Sequence, residues 1–195
     1  MEKVKLTAGA LLSPVPAAAV TCGSFDSANI ITIAWTGMIS TRPPVTYISV
    51  RPERHSHGII KETGEFAVNL TTSEMVRAVD LCGVKSGRDG DKFTLSGLHK
   101  TEASVISAPL IAESPLSLEC RVREIKSFGS HDMFIADIVC VDASPEFIDE
   151  NGKIDLARAG LMAYSHGEYF ALGKKVGHFG FSVAKKRRKH PRGRK

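Results

Sequence analysis

Four hydrogen-bond donors are crowded into one corner of this chain. The corner consists of Arg51, Arg54, His55 and Ser56, at the point where an apolar segment gives way to a polar one. A helix that begins here would add free backbone amides and a partial positive charge, and this combination binds phosphate. The alternative is a capped helix start beside a solvated charge cluster. The local pattern on its own favours that alternative.

Two further residues could contact a flat ring. Trp35 is the only tryptophan and lies in a segment rich in β-branched residues. Aromatic packing of this kind contributes about 0.5–1.5 kcal/mol beyond burial. Lys92 ends a glycine-rich stretch, where its cation could stabilise a group that becomes anionic. The alternatives are core packing for Trp35 and a solvated loop lysine for Lys92. Hydrogen-bond donors close to an aromatic side chain suit a ligand that is anionic at one end and flat at the other.

Other kinds of site find less support. His55 and His57 are two residues apart, which is weak support for a metal site against the alternative of loop histidines. The scattered cysteines have no Cys-x-x-Cys spacing, which favours reduced, buried thiols: Cys22, Cys82, Cys120 and Cys140. The sequence also lacks Gly-x-Ser-x-Gly, Gly-x-Gly-x-x-Gly and the P-loop pattern. It therefore does not bind nucleotides as Rossmann or P-loop proteins do.

Length and composition indicate one globular domain. The chain has 195 residues, of which 43% are hydrophobic and 24% charged. No apolar run approaches the ~20 residues needed to span a bilayer, so we expect no membrane partner. The N-terminal segment has no long apolar region typical of a signal peptide, so we expect a cytoplasmic protein.

A basic tail accounts for the positive net charge. Residues 185–195 hold eight Lys and Arg and no acid, and removing those charges from the formal +5 leaves −3. We therefore divide the chain into a domain, 1–182, and a flexible basic tail, 183–195. The tail could contact nucleic acid. We consider that unlikely compared with a solubilising role, because no aromatic is interleaved with the charges.

The elements that must position these residues are mostly short strands. The first half predicts a β-hairpin and two further strands, over 17–22, 29–36, 45–50 and 65–70. The proline pair Pro43 and Pro44 marks a turn or strand start. Ser56 is expected to cap a short helix that Gly64 ends. Thr71 and Glu74 have the spacing of a capping box at the start of a second helix.

The remainder of the chain also predicts β-structure. Segment 82–93 is expected to be a loop, 116–125 a half-buried strand, and 133–141 a strand buried on both faces. Segment 149–152 predicts a tight turn, 155–158 one helical turn ended by Gly160, and 164–180 a loop. Short antiparallel strands with only two modest helices favour a barrel or sandwich.

The sequence resembles the flavin-reductase-like proteins of the FMN-binding split-barrel family, and within it the flavoredoxin type. The resemblance extends from about residue 14 to about residue 182. It depends on Asn29 with Thr32 and Trp35, and on the order and spacing of several segments: 14–21, 39–45, 50–56, 64–70, 82–93 and 173–180.

The resemblance implies a mainly β fold, a six-stranded antiparallel split barrel with a few short helices. It also implies a homodimer with FMN held non-covalently near the subunit interface. At FMN-contacting positions it places Asn29, Trp35, Ser56, Lys92 and Tyr164. Neighbouring candidates for cofactor binding are Thr32, Thr36, Val50 and Arg51.

Two of these positions depart from the family pattern. Ser56 stands where threonine is usual and keeps the hydroxyl, so we expect phosphate contact to survive. Tyr164 stands where phenylalanine is usual, and its added hydroxyl beside the ring could alter the redox potential. The basic tail has no counterpart in the family.

A bound FMN would carry the electrons while the protein supplies position and electrostatics. On this hypothesis Ser56 and Arg51 hold the phosphate, Trp35 and Tyr164 bound the ring, and Lys92 stabilises the negative charge of the reduced ring. Asn29 is expected at the polar ring edge or the ribityl chain. Two functions remain open: an electron-transfer flavoprotein with a redox partner protein, and an NAD(P)H-dependent flavin or quinone reductase.

Overall fold

The computed structural model describes residues 1–184, and the expected basic tail falls almost entirely outside them, at 185–195. Twelve strands and three α-helices form within the described residues. The strands are β1 (Val15–Pro16), β2 (Ala18–Cys22), β3 (Asn29–Ile33), β4 (Thr36–Thr41), β5 (Pro44–Val50), β6 (Glu65–Asn69), β7 (Lys100–Thr101), β8 (Leu110–Ile111), β9 (Leu116–Ser127), β10 (Asp132–Ala143), β11 (Met162–Ser165) and β12 (Glu168–Ala171). The helices are α1 (His55–Thr63), α2 (Val76–Val84) and α3 (Lys92–Ser96).

Single 3-10 turns lie between these elements, at Ser73–Met75, Pro145–Phe147, Leu156–Arg158 and Phe181–Val183. The predicted tight turn is confirmed by the bond from the Gly152 amide to the Asp149 carbonyl, 2.9 Å. The predicted helical turn near residue 155 is also confirmed, because Asp155 caps the turn Leu156–Arg158 through the amide of Ala157.

A curled antiparallel sheet of seven strands dominates the fold, in the order β3-β2-β6-β9-β10-β5-β4. Two smaller sheets, β1-β11-β12 and β7-β8, lie beside it. This architecture confirms the mainly β split-barrel prediction. The main sheet has one strand more than the six expected, because the chain bends at Ala34 and Trp35 and re-enters the sheet as β4.

The two larger hydrophobic cores lie on opposite faces of the sheet. Inside the curl, Val20 and Ile31 pack with Phe66 and Phe134, and α1 contributes Ile60. On the outer face a second core lies beneath the helices, formed by Ala17, Ala19, Ile30, Met75, Val79, Cys82, Phe93, Leu98, Ile111 and Met162. Neighbouring residues of β2 and β3 therefore enter different cores, as the two-residue period of a strand requires. This packing fixes β3 against α2 and α3.

The two helix starts differ from the sequence prediction. Arg54, not Ser56, occupies the N-cap position of α1, and no side chain caps it. Ser56 lies inside the helix and is buried, so its hydroxyl points into the protein. The capping box at Thr71 is also wrong, because the Thr71 hydroxyl donates to the Ala17 carbonyl instead. Gly64 does end α1, in the left-handed conformation.

Three other segments differ from expectation. Strand β10 is not buried on both faces, because Val139 and Val141 are 36% and 49% exposed. The predicted loop 164–180 contains a hairpin of β11 and β12, with His166 and Gly167 at the turn and both at positive φ. The first residues of the predicted loop 82–93 belong to α2. A continuous apolar run therefore does not require burial on both faces, and a glycine-rich segment can begin within a helix.

The cysteines are free thiols, and Cys22, Cys82 and Cys120 are buried as predicted. The prediction is wrong for Cys140, which is only half-buried because it lies on the partly exposed strand β10. Among the described residues, none of the helices is long and apolar enough to cross a membrane.

Candidate cofactor site

Two adjoining cavities open where β3, β5 and the start of α1 meet α2. The larger, of about 450 Å³, is here called the aromatic cavity and contains Trp35, His131, Tyr164 and Tyr169 in its wall. The smaller, of about 270 Å³, is called the polar cavity. Both are lined by Ile31, Arg51 and Arg54, so the two are continuous. A long ligand could therefore lie across both.

Three buried polar residues form the floor of the polar cavity: Asn29, Ser56 and Lys92. The side-chain amide of Asn29 donates to Ser56 Oγ at 2.7 Å. Lys92 Nζ donates to the backbone carbonyls of Ile30 and Cys82, both at 2.8 Å. These bonds fix the floor in place, because β3, α1, α2 and α3 each supply a bonded group.

Burial changes the acidity of the groups around this floor. It lowers the pKa of Lys92, because desolvation disfavours the ammonium. It raises the pKa of Cys22 to about 11, although a hydrogen bond with Ser56 and the charge of Lys92 both act to lower it. Cys22 is therefore a neutral thiol at neutral pH, and Lys92 is the floor's only source of positive charge.

A loop between α2 and α3 closes the polar cavity from the other side. The Arg88 amide donates to Ser86 Oγ at 3.2 Å, and Arg88 Nη1 donates to the Glu53 carbonyl at 3.1 Å. Between them Gly87 approaches the floor so closely that a Cβ there would lie 2.7 Å from Asn29 Cγ. Only glycine allows this contact, so the loop backbone can reach a ligand on the floor.

The solvent side of the polar cavity, here called the rim, is strongly cationic. Its charged residues are Arg51, Glu53, Arg54, Lys85 and Arg88. Arg54 precedes α1 and Lys85 follows α2, so the cations come from opposite walls. A group with negative charge is the natural ligand of such a surface.

The aromatic cavity is more open. Trp35 is 45% exposed, and its ring lies 4.6 Å from that of His131. Burial and the neighbouring Arg51 lower the pKa of His131, so a neutral imidazole is favoured. Across the cavity, Tyr164 and Tyr169 meet edge to face with ring centroids 5.4 Å apart. The Tyr169 hydroxyl donates to Asp80 at 3.2 Å, and burial beside this carboxylate raises its pKa to about 12.

The sequence matches the family described as "Flavin reductase like domain" over residues 11–173. The chain belongs to this family. Its fold agrees with that of solved flavoredoxins. Flavoredoxin of Desulfovibrio vulgaris (Miyazaki F) is 25% identical, with a TM-score of 0.86, over 94% of this chain and 100% of the other. Flavoredoxin from Methanosarcina acetivorans is 26% identical, with a TM-score of 0.85 and the same coverage. An uncharacterised protein of Archaeoglobus fulgidus is 31% identical over 145 residues, 74% of this chain and 81% of the other.

The structure gathers eight of the nine predicted site residues around the two cavities of this flavin-reductase-like domain. Thr32, Trp35, Val50 and Tyr164 line the aromatic cavity, and Asn29, Ser56 and Lys92 line the polar one. Arg51 lines both. Thr36 lines neither, because it begins β4 and its hydroxyl donates to the Tyr47 carbonyl at 2.6 Å. Lys92 lines the polar cavity with Ser56. Its expected role beside the reduced ring stays a prediction.

Sequence reasoning missed several residues of the site. His131 was considered only as part of a turn, yet β10 brings it onto Trp35. Gly87 and Arg88 lie in the predicted loop 82–93 but were not named as site residues, and Asp80 was not named either. No local signal marks His131, because its partner lies 96 positions away in the sequence (131 against 35). For Gly87 the signal was present, since glycine-rich loops often approach ligands closely.

The cavities fit FMN in shape and chemistry. The polar cavity offers a buried hydroxyl, an amide and an ammonium to an anion, and the aromatic cavity offers flat surfaces to a ring. The larger cavity has a volume in the range typical of small-molecule sites. Polar groups deep in the polar cavity would fix the orientation of a ligand, and the aromatic walls would add contact area with its ring.

Proposed function

We propose that this protein is an FMN-binding flavoprotein that carries electrons, of the flavoredoxin type. The observation that carries the proposal is the buried floor of Asn29, Ser56 and Lys92 beside an aromatic cavity. Burying three polar side chains is costly unless they serve one another or a ligand. The flavin-reductase-like family and the similarity to flavoredoxins support the same conclusion.

In this proposal the phosphate lies on the floor of the polar cavity. Ser56 donates its hydroxyl, and Arg51 contributes charge from above. Asn29, which donates to Ser56 at 2.7 Å, holds that hydroxyl in place and faces the ribityl chain. We now assign Lys92 to the phosphate half as well, because its ammonium is anchored there at 2.8 Å from two carbonyls. Trp35 and Tyr164 bound the ring.

When bound, FMN supplies a ring that takes up and releases electrons. The protein's own residues would bind the flavin, orient it and shield it from water. The floor would fix the anionic end, and the aromatic cavity would receive the ring. Trp35, His131 and Tyr164 are the aromatic residues that would hold it there.

Ser56→Ala tests the placement of the phosphate. It removes one charge-assisted hydrogen bond, worth about 1.5–3 kcal/mol. FMN affinity should therefore fall roughly 10- to 150-fold, since each ~1.4 kcal/mol is tenfold. Riboflavin, which has no phosphate, is the matched control and should bind nearly as before. Quenching of flavin fluorescence measures both affinities. An equal loss for FMN and riboflavin would show that the phosphate does not lie at Ser56.

A second candidate, an NAD(P)H-dependent flavin or quinone reductase, is favoured by the excess of cations on the rim. Anaerobic mixing of the FMN-loaded protein with NADH or NADPH separates the two candidates. Rapid bleaching of the flavin absorbance supports the reductase. No bleaching supports the electron carrier, whose donor is then a protein.

We further propose that the working unit is a homodimer. In the single chain, apolar side chains are exposed on strands at one end of the sheet order: Met38, Ile39, Val139 and Val141. Trp35 precedes β4 and is exposed as well, so a second copy packing here would complete the aromatic cavity. Analytical ultracentrifugation should give about twice the chain mass of 21.1 kDa. A monomer that still binds FMN tightly would contradict this.

A further inference from the structure

A buried hydrogen bond joins two elements that carry residues of different cavities. His57 lies in α1, and its Nε2 is 2.8 Å from Oδ2 of Asp132, the first residue of β10. The two side chains are 9% and 16% exposed. Neither residue lines the polar or the aromatic cavity, so direct contact with a bound flavin does not account for the pair.

The chemistry of the pair fixes which group donates. Hydrogen bonds from His57 and, after it, Ser127 lower the pKa of Asp132, so its side chain is a carboxylate at neutral pH. A carboxylate can only accept, and the donor is therefore His57 Nε2–H. The His57 ring also meets the buried ring of Phe134 edge to face, with centroids 5.1 Å apart. One imidazole is thus held by a polar contact and an aromatic contact together.

Stability alone gives a weak reason for burying such a pair. Taking a charged group out of water costs free energy, and apolar side chains of similar volume often stabilise a fold as well or better. A hydrogen bond differs from an apolar contact because it requires a defined distance and angle between its two groups. The bond between His57 and Asp132 therefore fixes the start of β10 relative to α1.

The α1 side of this bond is adjacent to the floor of the polar cavity. Ser56 directly precedes His57, is itself buried, and accepts a hydrogen bond from the side-chain amide of Asn29 at 2.7 Å. Any shift of His57 along or around the helix would move Ser56 with it, because the two share one turn of α1.

The β10 side of the bond is adjacent to the aromatic cavity. His131 directly precedes Asp132, and its ring centroid lies 4.6 Å from that of Trp35. The pairing of β10 with β5 begins at Asp132, which lies opposite Val50, so His131 is just outside this ladder. The position of His131 against Trp35 therefore depends on how Asp132 is held.

We propose that the His57–Asp132 hydrogen bond holds Ser56 and His131 at a fixed spacing, and that both members of the pair are positioning residues for FMN. A ligand that must contact both cavities depends on this spacing, whereas a ligand that needs only one does not. FMN needs Ser56 for its phosphate and the aromatic cavity for its ring, and riboflavin lacks the phosphate. The inference rests on the proposed function, because FMN is the ligand that joins the two cavities.

His57→Phe tests the spacing, because it keeps an aromatic ring against Phe134 but cannot donate a hydrogen bond. Flavin fluorescence quenching gives the ratio of the riboflavin and FMN dissociation constants. We expect this preference for FMN to fall about tenfold, while riboflavin affinity changes less than about threefold. His57→Gln, which can still donate to Asp132, should restore most of the preference. Asp137→Asn is the control, because it breaks the 3.1 Å Arg123–Asp137 pair on β10 outside both cavities and should change nothing.

The fluorescence of Trp35 supplies a second readout that needs no flavin. Trp35 is the only tryptophan, and contact with a protonated imidazole quenches the emission of an indole. Burial and then Arg51 lower the pKa of His131 against an opposing effect of Glu53, so wild-type emission should fall as the pH drops below about 6.5. His131→Gln should abolish this step. In His57→Phe the step should shrink to less than half, and in His57→Gln it should be kept.

The inference requires both changes in a folded His57→Phe protein. If the melting temperature falls but either the preference for FMN or the Trp35 step keeps its wild-type size, the pair is only structural and the inference is overturned. Asp132→Asn, in which a neutral hydrogen bond replaces the charge-assisted one, should lower the preference about threefold and weaken the step, and it decides the matter if His57→Phe does not fold. Failure of the wild type to bind FMN is a separate outcome, which would overturn the proposed function itself.

Discussion

The polar and aromatic cavities share a wall but differ in how far the single chain buries the residues that line them. On the floor of the polar cavity, Ser56 and Lys92 are 1% and 3% exposed and hydrogen bonds fix their partners. In the aromatic cavity, Trp35 is 45% exposed and its ring lies against His131 alone among the described aromatic pairs. One chain therefore completes the first cavity and leaves the second open.

This difference indicates that the polar cavity provides binding affinity, whereas the aromatic cavity gives other molecules access to the ring. A floor that is already in place loses little conformational freedom when a ligand arrives, so it can supply most of the affinity. An open aromatic wall adds contact area but admits a partner, a second subunit or a substrate to the ring. If this division holds, substitutions near the floor should change how tightly the phosphate is bound, and substitutions near Trp35 should change how tightly the ring is bound.

Gly87→Ala should disrupt the polar cavity and have a larger effect than any change at Trp35. The added Cβ would lie 2.7 Å from Asn29 Cγ and His55 Cδ2, and closer still to Asn29 Oδ1. Asn29 cannot move aside without losing its bond to Ser56, at 2.7 Å. Overpacking of this kind costs about 1–3 kcal/mol, so we expect FMN affinity to fall by up to about 100-fold. Fluorescence titration measures the loss.

Gly58→Ala is the matched control for this substitution. Gly58 lies within α1, and a Cβ there would meet nothing within 4 Å. Alanine is favoured over glycine in a helix by roughly 0.5–1 kcal/mol, so this variant should be slightly more stable and bind FMN as before. If Gly87→Ala also binds FMN normally, the loop does not close on the floor as the structure indicates.

The strands that position the site were largely predictable, because their signal is local. β-Branched residues and alternation located β3, β5, β6 and β9, and Gly64 located the end of α1. Segment 133–141 was misjudged, because an apolar run is buried on both faces only if something covers each face. Within residues 1–184 one face of this strand is only partly covered, because Val139 and Val141 are 36% and 49% exposed.

The residues of the site could be predicted from the sequence, but the contacts between them could not. The donor corner and Trp35 are visible as residue types, but their neighbours come from distant segments. Lys92 begins α3, and only the packing of α3 beneath α2 brings its ammonium to the Ile30 carbonyl, 62 residues away. The same kind of long-range contact brings His131 onto Trp35. Spacing along the chain carries no information about such contacts.

The pH dependence of FMN binding should sharpen the contrast between the cavities. Burial lowers the pKa of Lys92, so its ammonium loses a proton below the usual pH for lysine. As pH rises through that lowered pKa, the floor loses its positive charge and FMN affinity should fall, by about tenfold overall. A bound phosphate favours the ammonium again, so binding in this range should take up a proton.

Riboflavin and Lys92→Met provide the controls for the pH experiment. Riboflavin has the same ring but no phosphate, so its affinity should change less over the same range. In Lys92→Met the difference between the two flavins should no longer depend on pH. Titrations between about pH 7 and 10 cover the range in which a lysine of lowered pKa changes charge. If FMN and riboflavin follow the same pH curve in the wild type, Lys92 does not serve the phosphate.

Trp35→Ala should have the smallest effect and the opposite selectivity. Its ring lies tilted against that of His131 at the open side of the aromatic cavity, away from the floor. Losing an aromatic contact of about 0.5–1.5 kcal/mol should weaken flavin binding roughly 2- to 10-fold. FMN and riboflavin should weaken equally, because both have the same ring, and Trp35→Phe should recover most of the loss. Fluorescence titration of both flavins gives the ratio of their affinities. A loss for FMN that exceeds the loss for riboflavin would mean that Trp35 acts on the phosphate through Arg51, and the two cavities could no longer be treated as independent.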